Sequence, residues 1–96
     1  MIRLGKHEFD DVLYDARADV LYLSKGRPVA ATETIASPEG HAIRLDESRK
    51  IIGITVVNAR WLAERDGQII ITIPTNAPGA ERLETPASQL AEALAA

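Results

Sequence analysis

The segment Tyr14-Asp15-Ala16-Arg17-Ala18-Asp19-Val20-Leu21-Tyr22-Leu23 constrains this chain more than any other. Val12-Leu13-Tyr14 leads into it with β-branched, apolar and aromatic side chains, a combination that favours extended backbone. Asp15 to Asp19 then breaks the apolar pattern with two carboxylates. Asp is favoured in turns because its side-chain oxygens accept hydrogen bonds from N–H groups one or two residues on. Val20-Leu21-Tyr22-Leu23-Ser24 resumes with an unbroken apolar run, which predicts a second strand covered in part on both faces. The segment is a hairpin, and the rest of the chain reads as strands added to it.

Ile51-Ile52-Gly53-Ile54-Thr55-Val56-Val57 is the strongest of those strands, with Ile52, Ile54 and Val56 on one face. Gly53 inside it predicts a bulge or a close neighbour such as an aromatic ring. Between the hairpin and this strand, Val29 to Ala36 reads as a third strand with one wet face. His41 to Asp46 alternates, placing His41, Ile43 and Leu45 together. Lys25-Gly26-Arg27-Pro28, Ser37-Pro38-Glu39-Gly40 and Glu47-Ser48-Arg49-Lys50 supply the turns. Asn58 fits a helix N-cap, Ala59 to Arg65 are good helix formers, and Gly67 suits the left-handed position that ends a helix. Gln68 to Ile73 is the last strand, stopped by Pro74. Thr75 to Glu84 reads as a linker, and Thr85-Pro86 as the start of a helix running to Ala96 with Leu90, Ala91 and Leu94 on one side. So short a helix is unstable in water unless it docks. The expected class is α+β: a small, mostly antiparallel sheet of five or six strands, a short helix near 59–66 and a C-terminal helix. Residues 1–74 form a single β-rich domain, and 75–96 form a linker plus that helix.

Tyr14-Asp15-x-x-Ala18-Asp19-x-Leu21-Tyr22-Leu23, followed by Ile52-Gly53-Ile54 and Val57-Asn58-Ala59, resembles a family of short bacterial proteins catalogued as domain of unknown function 2283. The resemblance covers about residues 12 to 60. It implies a small antiparallel β-rich fold and brings no activity with it. Two departures stand out: Arg49-Lys50 replaces a familiar glycine before the Ile-Gly-Ile strand, and the second hairpin strand runs early into Lys25-Gly26. Residues 61–96 lie beyond the resemblance.

Composition narrows the function classes. The formal net charge is −3 with no basic stripe along the chain, which disfavours nucleic-acid binding by this chain alone. No apolar run is long enough to span a bilayer, and the C-terminal segment has no basic face, so no membrane role is expected. Cysteine is absent, which removes disulfides and thiolate metal sites and fits a cytoplasmic protein. No catalytic residue and no cofactor are expected: the serines and glycines sit in no nucleophile elbow or phosphate loop. Asp15, Asp19 and His41 are candidate ligands for a hard cation, since carboxylate oxygens suit such ions. The plainer reading of both carboxylates is turn capping, and of His7 and His41, exposed histidines. Phe9, Tyr14, Tyr22 and Trp61 are expected in core or hairpin packing. The Gln68 to Ile73 strand is an exposed edge without charge, and edges of that kind attract other chains. Gln68, Ile70, Leu90 and Leu94 are therefore the candidate interface of a homodimer. The functional expectation is a small non-enzymatic interaction protein, a homodimer or the folded partner of a neighbouring gene product. The alternative is a small-molecule or metal-binding module, or an enzyme, built on the acidic turn.

Overall fold

The computed structural model describes residues 1–26, 31, 33–74 and 81–95. Two hairpins open the chain. Ile2–Leu4 (β1) pairs antiparallel with His7–Phe9 (β2), and Asp11–Asp15 (β3) with Val20–Ser24 (β4). In sequence, residues 1–11 are polar and charged and offer only Ile2 and Leu4 as a short strand, so the hairpin itself is a finding of the structure. Its second strand carries Phe9, whose ring is fully buried.

Glu33–Ala36 (β5), Ala42–Leu45 (β6) and Ile51–Val57 (β7) complete a five-stranded antiparallel sheet in the order β3-β4-β7-β6-β5. The first part of the strand expected from Val29 lies outside the described residues, save Ala31. The strongest apolar run, β7, is the central strand, as its pattern requires: a strand with neighbours on both sides and a core beneath it has the most apolar area to bury. Leu21, Leu23, Ile43, Leu45, Ile54 and Val56 project from one face into the core. Register slips between Arg44 and Leu45, so that Leu45 faces Ile51 and Ile52 is the extra residue of a bulge. Ile52 is consequently half-buried rather than buried. The close neighbour that Gly53 implies is backbone, not an aromatic ring. A Cβ there would lie 2.9 Å from the Leu23 carbonyl oxygen, with the Arg44 side chain just beyond.

Ala59–Asp66 (α1) follows β7 and ends on Gly67 at φ +72°, whose N–H donates to the Ala63 carbonyl at 2.9 Å. Gln68–Ile73 (β8) then pairs with Glu81–Pro86 (β9), from Gln68 opposite Pro86 to Ile73 opposite Glu81. The end of the expected linker is therefore a strand. Leu83 and Thr85 point inward and Arg82 and Glu84 outward, an alternation that the charged residues mask when read by composition. Thr85 is a buried strand residue and not a helix cap. The expected C-terminal helix is one turn, Ala87–Leu90 (α2), then a 3-10 turn at Ala93–Ala95. Leu90 and Leu94 are buried within the chain, while Ala91 is exposed. Ile69, Ile71 and Ile73 of β8 close the core from the second layer. No helix among the described residues is long and apolar enough to cross a membrane.

Among the described residues, the other face of the five-stranded sheet is exposed at Leu13, Tyr22, Thr34, Ala36 and Val57. Its register sets Leu13, Tyr22, Thr55, Ala42 and Ala36 in one row across all five strands. Leu13 is 64% exposed and Tyr22 40%. Val57, next along β7, is exposed as well. Trp61 also departs from expectation: it is 53% exposed on α1, under the Arg65 guanidinium at 4.4 Å from the ring centroid.

Ile54 is the most diagnostic core position, 1% exposed at the middle of the central strand. Ile54→Ala removes buried methylenes and leaves a cavity, so urea unfolding should show a loss of about 2–4 kcal/mol. A loss below about 0.5 kcal/mol would mean that β7 is misplaced.

Candidate functional site

The acidic turn between β3 and β4 is a joint of the scaffold. Asp15 does what a turn aspartate does: its Oδ1 accepts the N–H of Arg17 at 3.0 Å and of Ala18 at 3.3 Å. Asp19 has a different task. Its backbone is left-handed, φ +55°, and its carboxylate leaves its own turn for the start of α1. Oδ1 accepts the N–H of Arg60 at 2.7 Å, and Oδ2 the N–H of Trp61 at 3.1 Å. The Asp19 carbonyl takes the N–H of Ala59 at 3.1 Å. The first three N–H groups of α1, which no helix can satisfy internally, thus all end on one residue far away in sequence. The carboxylate also meets the positive end of the helix dipole.

Tyr14 completes the joint, its hydroxyl donating to Asp19 Oδ1 at 2.7 Å. Burial works to raise the Asp19 pKa, but the bonds from Tyr14, Arg60 and Trp61 outweigh it and hold the carboxyl below its ordinary value. The Tyr14 phenol moves the other way, pushed up by burial and then by the adjacent carboxylate. Asn58, the expected cap, occupies the N-cap position at φ +58° and makes no side-chain cap bond. A capping side chain normally departs from extended backbone, and left-handed backbone does not offer that geometry.

His41 is not an exposed histidine. It is 1% exposed, beside Ile43 and Leu45 on the inward face, as strand alternation places it. Its Nδ1 accepts the N–H of Val57 at 3.1 Å, so the ring proton sits on Nε2. That Nε2–H is buried without a partner among the described residues. Burial depresses the His41 pKa, and the nearby Glu39 carboxylate only partly offsets it. His41 shares a shallow groove of about 320 Å³ with Glu39, Arg65, Asp66 and Gln68.

The structure therefore does not gather Asp15, Asp19 and His41 into one centre; each binds a different piece of backbone. No group of three or more His, Asp or Glu side chains suited to a metal occurs among the described residues. Of the interface candidates, Gln68 and Ile70 are half-buried on β8, and Leu90 and Leu94 are covered by their own chain. One edge of β8, the strand expected to be bare, carries β9.

One feature escaped the reading of the sequence. Lys6, Lys25, Arg49 and Lys50, scattered over three turns, line a single groove of about 770 Å³. No linear signal announces it, because the cations converge only through folding.

The sequence model of a family described as protein of unknown function (DUF2283) matches residues 11–60. No curated protein and no solved structure matches the chain. The matched region begins at β3 and ends just inside α1, so it contains Tyr14, Asp19, Ala59 and Arg60 of the joint, with Trp61 one residue beyond.

Asp19→Ala should lower stability by about 1–3 kcal/mol in urea unfolding, because it orphans two helix N–H groups and a partly buried phenol. Asp15→Ala, which loses only an exposed turn cap, should cost about 0.5–1 kcal/mol. Equal losses at the two positions would contradict the joint.

His41 sets a pH dependence of definite sign. Its folded pKa lies below its unfolded value, so the unfolded chain takes up the proton first on acidification. The stability from the neutral ring is complete above about pH 6.5 and is lost as pH falls towards the folded pKa. Between about pH 7 and pH 5 the wild type should lose more stability than His41→Asn, which keeps an acceptor but does not titrate. Parallel curves would exclude His41 as the group responsible.

Proposed function

The chain belongs to the DUF2283 family of proteins of unknown function, and on that premise we propose that this member is a small non-enzymatic interaction protein that works as a homodimer through the open face of its five-stranded sheet. Two observations support this reading. The motif carboxylates already accept hydrogen bonds from the protein's own backbone, so the residues that carry the family resemblance maintain the fold. The open face carries an apolar row graded in size, with Leu13 and Tyr22 at one end and Ala42 and Ala36 at the other.

That gradient is the observation that carries the proposal, because it makes the face complementary to itself. A two-fold axis parallel to β7 and lying between two such faces places β3 over the partner's β5 and β4 over the partner's β6. Leu13 then seats on the partner's Ala36, and Tyr22 on the partner's Ala42. Large side chains meet small ones, as interdigitating sheets require. The same rotation carries Asp11, at the β3 margin, towards the β5–β6 margin where Arg44 lies. The tail needs no second copy in this arrangement, since Leu90 and Leu94 already have their cover.

Sedimentation equilibrium decides it. The full chain should run as a dimer at tens of micromolar, and Leu13→Lys as a folded monomer with at least about a tenfold weaker association. A monomeric wild type would sink the homodimer. So would a Leu13→Lys variant that dimerises as tightly as the wild type.

A further inference from the structure

A chain of net charge −3 directs four cationic side chains into one concavity. The walls are the β1–β2 turn, the end of β4, the β6–β7 loop and the ends of β8 and β9 that meet beside them. The loop contributes most. Asp46 Oδ1 accepts the N–H of Ser48 at 2.8 Å and of Lys50 at 2.9 Å, which folds the loop back on itself. Arg49 is left-handed there, φ +62°. Arg49 and Lys50 together set two cations at the rim.

Neither carboxylate of the groove makes an ion pair with a lining lysine among the described residues. Asp46 and Glu81 both line it, against Lys6, Lys25, Arg49 and Lys50. Asp46 is held by backbone N–H groups, and Glu81 faces His7 Nε2 at 3.3 Å. Arg49 pairs with Glu33 at 2.5 Å. Lys25 Nζ stands 3.5 Å from His7 Nδ1 and 5.5 Å above the Phe9 ring. An ammonium only donates, so Nδ1 accepts and the Nε2–H turns to Glu81. His7 thus positions Lys25 without neutralising it. The floor is apolar: Leu45, Ile51, Ile52 and Ile73. Ile52 is the extra residue of the β7 bulge, half-buried beside this groove.

We propose that the groove is a binding site for a small organic phosphate monoester. The phosphate lies among Lys6, Lys25 and Lys50, and the apolar body lies on the Ile51–Ile52 floor. Charge selects the class. Arg49 is paired with Glu33, but Lys6, Lys25 and Lys50 have no carboxylate partner among the described residues, and three converging ammonium groups suit the roughly −1.5 to −2 of a phosphate monoester at neutral pH. A simple carboxylate supplies only half of that. A nucleic acid needs a longer basic track than one groove on an acidic chain provides. The volume suits a small molecule, and the apolar floor gives its body a place that a bare phosphate would leave unfilled.

The test titrates the full chain with phenyl phosphate, benzoate and inorganic phosphate, followed by amide chemical shifts. Phenyl phosphate should bind with a Kd of about 1 mM or tighter, with shifts centred on residues 46–52. Benzoate and inorganic phosphate should each bind at least about fivefold more weakly. Lys50→Gln and Lys25→Gln should each weaken phenyl phosphate by about fivefold or more while the melting temperature shows the variants folded. Lys50 is exposed, so its variant keeps the test valid even if Lys25→Gln disturbs the contacts with His7 and Phe9. No binding, shifts elsewhere, or Lys50→Gln affinity equal to wild type would overturn the site. Equal affinity for benzoate would overturn the dianion, and equal affinity for inorganic phosphate the apolar floor.

Discussion

The Asp19 carboxylate accepts three hydrogen bonds from two separate parts of the chain, and the layout of the molecule depends on that arrangement. A helix of eight residues is marginal by itself, since nucleation is costly and its first N–H groups need outside partners. Here those partners come from the turn between β3 and β4. The hairpin thereby fixes where α1 begins, α1 fixes the direction in which the chain leaves β7, and Gly67 turns it into β8. The second layer of the core, Ile69, Ile71 and Ile73, is reached only by that route. Tyr14 ties the same carboxylate to β3, so losing one oxygen acceptor loosens sheet and helix together. Local charge, backbone geometry and tertiary packing agree at this point, the condition under which a short sequence specifies one fold.

Much of the sheet was legible in the sequence because strand patterning is local. Leu21, Leu23, Ile54 and Val56 alternate with a period of two, and no distant contact was needed to place them inward. His41 could be placed by the same alternation, although the type of the residue suggested exposure. The misreadings share one cause, interactions that cross the chain. Asn58 had the composition of a cap, but the cap arrives from Asp19, and only the left-handed backbone of Asn58 reveals it. Strand β9 was hidden because Glu81, Arg82 and Glu84 make a half-wet strand resemble a linker. The second strand of the first hairpin is too short to carry a period, so Phe9 was expected in core or hairpin packing without a strand to place it. Trp61 was expected inside on grounds of size, yet α1 presents only Ala59 and Ala63 as buried residues, and the ring lies outside under Arg65.

Sites were less legible than strands. The carboxylates that looked most like chemistry serve the backbone, while Lys25, Arg49 and Lys50, which gather in a groove, were legible only as turn residues. Both outcomes follow from the same physics. An Asp in a turn can satisfy local or distant N–H groups, and sequence spacing does not say which. Lysines from different turns give no linear stripe, and their convergence appears only once β4, β6 and β7 are in register. The family resemblance fits this division. Tyr14, Asp19 and Ala59 of that resemblance belong to the joint, whereas much of the groove is lined by Arg49, Lys50 and their neighbours in and beside the β6–β7 loop.

The central claim is that one side chain holds the N-terminus of α1. Native-state hydrogen exchange of the Arg60 and Trp61 amides, compared between wild type and Asp19→Asn, tests it most directly. Asparagine keeps one acceptor and the size of the side chain but loses the charge and an oxygen. Protection of these two amides should fall by about tenfold or more beyond the global loss of stability, while the Ile54 amide in the central strand follows only the global change. Unchanged protection at Arg60 and Trp61, with the rest of the protein equally stable, would contradict the claim.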